Sequence, residues 1–221
     1  MGNFARGMVR WVPVAVLTFA GLWAGCARMP YTTKVLHQDK RVAVSLQEDV
    51  KPTAYTHPVT IDPQDLARIL RGFSIREEQR LPLRWFAEEV PPKLLFREDE
   101  LAALVFPLSQ GLAAVSPAER VHFELFAPGM NPAEERDVTA GWVAVKEPYL
   151  YLDIEYFHAI VPTRKIDNYY MNNPLMPPLP KNYLLFFEPG RLWTKQQGTR
   201  VLNYREFLKT VPSPPAGTSR P

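Results

Sequence analysis

A chain of 221 residues with 46% hydrophobic and 22% charged side chains has the balance of a folded domain, which excludes a charged, disordered polymer, and its length gives room for one core of ordinary size. The formal charge of +3 includes Arg6 and Arg10, which fall in a leader segment. The sequence pI of about 9.0 therefore marks no basic face, and with Lys and Arg interleaved among Asp and Glu, nucleic acid is excluded as an expected partner.

The first 25 residues read as that leader. "MGNFARGMVR" brings two arginines and no acid, and "WVPVAVLTFAGLWAG" follows as fifteen uncharged residues ending in small side chains. This is the layout of a secretory signal. A membrane-spanning helix needs about 20 apolar residues, and this run is shorter and carries Pro13; a retained single-pass anchor is the alternative. The border "LWAGC" resembles the lipobox of bacterial lipoproteins, with Ala24 and Gly25 as the small pair before the scissile bond and Trp23 where that family has Leu. The resemblance covers the leader alone. It implies that Cys26 is acylated and becomes the first mature residue, and that Ala27 behind it directs the protein to the outer membrane, anchored on the periplasmic side. Inner-membrane anchoring, or a soluble periplasmic protein cleaved after Ala27, are the competing addresses. As the chain's only cysteine, Cys26 has no disulfide partner, and "ARMPYTTK" after it lacks the periodicity of a folded segment that would bury or activate a thiol.

Residues 26–40 are then a lipidated tether and 41–210 one folded body. "RVAVSLQ" alternates Val42, Val44 and Leu46 against Arg41, Ala43 and Ser45, predicting a half-buried strand. The Pro-bearing connector "KPTAYTHPVT" follows. In "IDPQDLARILRGF" Asp62 is placed to cap, Pro63 takes the first helical position, Leu66, Ile69 and Leu70 share a face, and Gly72 marks the stop. "FSIRE" is extended. In "REDELAALVFPLSQGLAAV" three acids open a helix whose Leu101, Leu104, Val105, Leu108 and Leu112 recur at three and four, with a kink or a division into two helices expected at Pro107.

"SPAER" gives a turn and "RVHFELF" a strand. In "TAGWVAVKEPYLYLDIEYF" two extended runs meet near Glu147 and Pro148, a hairpin with Leu150, Leu152 and Ile154 on one face and Tyr151, Asp153 and Glu155 on the other. "NYLLFFEPGRLW" predicts a second hairpin about a type II turn at Pro189 and Gly190. "NYREFL" is a short terminal helix, and residues 211–221 a disordered Pro-rich tail. The fold class is α+β: a single domain with an antiparallel sheet and two or three short helices on one side.

No nucleophile elbow, zinc motif, phosphate loop or dinucleotide turn stands in the sequence, so no catalytic residue, metal or cofactor is assigned. His122 and Glu124 share one face of a surface strand, His158 follows Asp153 and Glu155, and His37 and His57 sit solvated in tether and connector. The aromatic-rich second half offers a partner-binding loop over 171–182, with Met171, Leu175, Met176 and Leu179 exposed for contact. The expected function is a lipid-anchored, non-enzymatic binding or assembly module, its partners being the membrane, through acyl chains, and another envelope protein or component. The alternative is an envelope hydrolase drawing His122, Glu124, Asp153 or Glu155 together.

Overall fold

The protein is described by a computed structural model over residues 33–49, 54–78, 90–162 and 181–210, all within the unit Thr33–Pro221. The lipid-attachment site Cys26 with Ala24 and Gly25, the loop residues Met171, Leu175, Met176 and Leu179, and the tail 211–221 lie outside the described residues.

Alternation builds the sheet. Strand β1 (Lys34–Gln38) pairs antiparallel with β2 (Val42–Glu48), where Val42, Val44 and Leu46 turn inward and are almost fully buried. β1 lies inside the stretch read as tether, so the folded body begins seven residues earlier than 41. Its short "KVLHQ" leaves Val35 exposed, too little alternation to announce an edge strand.

Helix α1 (Pro63–Arg71) follows its local signals: the Asp62 carboxylate accepts from the Gln64 N–H at 2.8 Å, and Leu66, Ile69 and Leu70 are buried. Gly72 ends the helix in ordinary right-handed geometry (φ −72°), so left-handed freedom is not what it supplies. A Cβ there would sit 2.5 Å from the Phe187 ring; the glycine makes room for that ring.

Strand β3 (Phe73–Glu77) comes next, then β4 (Lys93–Leu94) and helix α2 (Glu98–Ala114). Pro107 does not divide α2 into two helices. It removes the N–H that would reach the Ala103 carbonyl and crowds that carbonyl, yet Pro107 is itself buried and, with Leu104 and Leu108, holds both turns on the sheet. Three consecutive strands, β5 (Glu119–Pro128), β6 (Glu135–Lys146) and β7 (Tyr149–Pro162), form an antiparallel meander, the last two joined at Glu147 and Pro148 as expected. The Glu147 carboxylate accepts from the Tyr204 hydroxyl and the Arg205 guanidinium, fastening the terminal helix α3 (Tyr204–Thr210) to that turn.

Strand β8 (Tyr183–Phe187) does not return as a hairpin. After it the chain makes a 3-10 turn at Gly190–Leu192, and the next strands, β9 (Trp193–Gln196) and β10 (Thr199–Asn203), join a different sheet. The type II turn expected at Pro189 and Gly190 is thus a switch between sheets, which its local sequence does not distinguish from a hairpin.

The larger sheet has seven strands in the order β1-β2-β5-β6-β7-β10-β9 and the smaller three in the order β4-β3-β8; every pairing is antiparallel. With three helices among the described residues this is a single α+β domain. Its main core lies between α1, α2 and the inner face of the large sheet, where Leu66, Leu104, Leu108, Val44, Val121, Phe123 and Leu150 are closed to solvent. Each such side chain contributes about 2 kcal/mol on leaving water. Among the described residues no helix is long and apolar enough to cross a membrane.

His57 is no solvated connector residue. It is only 5% exposed, its Nε2 accepts the Val145 N–H at 2.7 Å, and Tyr55 packs 5.4 Å away. Burial drives its pKa down to about 4, against a weaker opposing pull from Glu119.

Candidate functional site

The same alternation that sends Val143, Val145, Leu150 and Leu152 inward sends Trp142, Ala144 and Lys146 of β6 and Tyr149, Tyr151 and Asp153 of β7 to the other face. Register sets them side by side: Trp142 opposite His122 and Asp153, Ala144 opposite Tyr151, and Lys146 opposite Tyr149. Ala144 is the small member of this row, and the row hollows above it. The hollow measures about 620 Å³ and is lined by Tyr55, Arg120, Trp142, Lys146, Tyr151 and Asp153 among others, a size within the usual range for ligand sites.

The walls are braced. Tyr55 donates from its hydroxyl to Asp49 at 2.6 Å, Arg120 stands 3.6 Å from the same carboxylate, and its guanidinium lies over the Trp142 ring, 4.5 Å from the centroid. The His122 ring packs on Trp142 at 4.4 Å. At the β9 end Gln196 donates to the Tyr149 hydroxyl at 3.3 Å. Lys146 and Asp153, by contrast, form no ion pair among the described residues. The hollow therefore has a fixed aromatic lining, with Lys146 as a cation and Asp153 as an anion that are both unengaged among the described residues.

His122 corrects the expectation of a surface strand residue. It is 9% exposed, and burial lowers its pKa against the pull of Glu124 and then Glu155, with Arg120 adding to the fall. Glu155 stands 3.5 Å from its Nε2, beyond ordinary hydrogen-bond length, and that nitrogen is closed to solvent without a hydrogen-bond partner. The buried imidazole packs against Trp142 and supports the indole.

Against models of protein families, curated proteins and solved structures alike, the chain finds no match.

Of the other sequence candidates, Asp153 and Glu155 do project together from β7, with Glu124 across the sheet. His158 does not join them. Irregular register between Val138 and Gly141 leaves His158 with positive φ (47°), and its ring turns to Asp137, with Nδ1 2.9 Å from the carboxylate, and to Arg97 at 3.3 Å. His37 sits half-exposed on the edge strand, 3.0 Å from Asp39. No group of three His, Cys, Asp or Glu side chains that could hold a metal occurs among the described residues. The residues that shape the hollow, Trp142, Ala144, Lys146, Arg120 and Tyr55, were not singled out in the sequence, although "GWVAVK" carries the signal: a small side chain between a large and a charged one on the same face of a strand.

Proposed function

We propose that the chain is a lipid-anchored, non-enzymatic binding module of the cell envelope, held by an acylated Cys26 and engaging another envelope component on the open face of its large sheet. The observation that carries the reading is the hollow above Ala144, on the face of the sheet opposite α1 and α2 and lined by aromatic and charged side chains. Rigid aromatic walls with a few placed polar groups suit recognition. The acid–base alternative loses support because His122, the imidazole nearest the carboxylates, is buried against Trp142 with its Nε2 closed to solvent.

Two variants test the two halves of the proposal. Cys26→Ser releases the protein from the outer-membrane fraction; its retention there would refute the anchor. Ala144→Phe pushes a ring from a position only 1% exposed up into the hollow, costs about 1–3 kcal/mol of overpacking while circular dichroism shows the fold retained, and abolishes in-cell crosslinking to the partner. Undiminished crosslinking by a folded Ala144→Phe protein would refute the binding face.

A further inference from the structure

We propose that the occupant of the hollow is an extended segment of a partner protein carrying an acidic and a basic side chain four residues apart, with a small or apolar side chain midway. This rests on the binding-face reading and names its ligand. The face is electrically polar along the strands: Lys146 stands at the hairpin end, while Asp153, with Glu155 and Glu124 beyond it, stands at the other. Arg120 does not upset this polarity, because Asp49 lies 3.6 Å from it and the Trp142 ring takes its guanidinium plane.

Spacing does the rest. Lys146 and Trp142 are four residues apart on β6, about 13 Å at strand rise, and Asp153 sits directly across from Trp142. An extended peptide advances the same distance over four residues and sends positions i, i+2 and i+4 to one side. Position i then meets the Lys146 ammonium, i+2 enters the hollow over Ala144, and i+4 meets the Asp153 carboxylate. Because this is a sheet face, with its backbone already paired on both sides, recognition runs through side chains rather than by adding a strand. A neutral glycan would leave both charges unanswered, and charge complementarity is what discriminates partners on such a surface.

The test uses the full-length chain in detergent micelles and fluorescently labelled, end-blocked pentapeptides read by anisotropy. Asp-Ser-Leu-Ser-Lys binds, and Asp-Ser-Leu-Lys-Ser, whose charges fall on opposite sides, binds about three- to five-fold more weakly, the scale expected when attraction is lost at one exposed pair. The wild type favours Asp-Ser-Leu-Ser-Lys over Lys-Ser-Leu-Ser-Lys, and Lys146→Glu inverts that preference by about the same factor. Equal binding of the two spacings, indifference to Lys146→Glu, or occupancy by a neutral chito-oligosaccharide with no peptide binding at millimolar concentration would each overturn the proposal. In that event the Ala144→Phe crosslinking result separates the causes: loss of the envelope crosslink leaves the binding face standing with a different occupant, and a retained crosslink removes both.

Discussion

His57 ties the connector to the sheet by an imidazole that must stay neutral. At pH 7 it is uncharged in the folded and the unfolded chain alike, and its bond to the Val145 N–H is intact. As the pH falls through 6.5, the unfolded chain takes up a proton that the buried ring resists until about 4. The folded-state pKa is the lower one, so stability is fully present above 6.5 and is lost as the pH falls toward 4. At about 1.4 kcal/mol for each pH unit between those values, the loss reaches about 3 kcal/mol. His57→Gln supplies an oxygen for the Val145 N–H but has no proton to gain. Urea unfolding of both proteins between pH 7 and pH 4 checks this. The variant starts about 1 kcal/mol less stable, the scale of a remade buried hydrogen bond, and the wild type then falls by about 3 kcal/mol more across the window. Carboxylates such as Asp39 and Glu147, held low by their partners, titrate in both proteins and drop out of the difference. Parallel pH curves would show that His57 carries no such linkage.

Gly141→Ala places a Cβ on the Asp153 carbonyl oxygen and 3.1 Å from Ile154 Cδ1; backbone cannot yield as a side-chain tip does, so the variant loses about 3 kcal/mol, measured as a lowered urea midpoint. Glu147→Ala leaves the buried Tyr204 hydroxyl without its acceptor at 2.5 Å and costs about 2 kcal/mol at pH 7. Arg205 holds the Glu147 carboxyl below its ordinary 4.5, so that stabilisation is present above this value and lost below it. The stability difference between wild type and Glu147→Ala therefore shrinks on acidification, as thermal melts at pH 7 and pH 3 would record.

Local chemistry was legible and long-range placement was not. Asp62, Pro63 and the Leu66–Ile69–Leu70 stripe specify α1 within a dozen residues, and the alternation from Thr139 to Phe157 specifies a hairpin, so both are readable where they stand. Pro189 and Gly190 mark a change of direction equally plainly, yet nothing local says that β8 pairs with β3 and β9 with β10. The burial of His57 is likewise a property of β6, 88 residues away, and the Pro-bearing sequence around it looks solvated. The hollow lies between these cases. Its β6 row is visible in "GWVAVK", but Tyr55 and Arg120 reach it only through the tertiary fold.

The strand order also bears on the cost of assembly. β5, β6 and β7 are neighbours in the chain as well as in the sheet, so their pairing closes only short loops. β2 must find β5 across about 70 residues containing both α1 and α2, and closing that loop costs about 3 kcal/mol more than closing a two-residue turn. Loop-closure cost therefore favours pairing within the meander over the docking of β2 and the helices onto it. The row Trp142–Ala144–Lys146, opposed by Tyr151 and Asp153, lies wholly within the meander. The floor of the hollow thus belongs to the part of the sheet with the shortest loops to close, while Tyr55 reaches its wall from the connector ahead of α1.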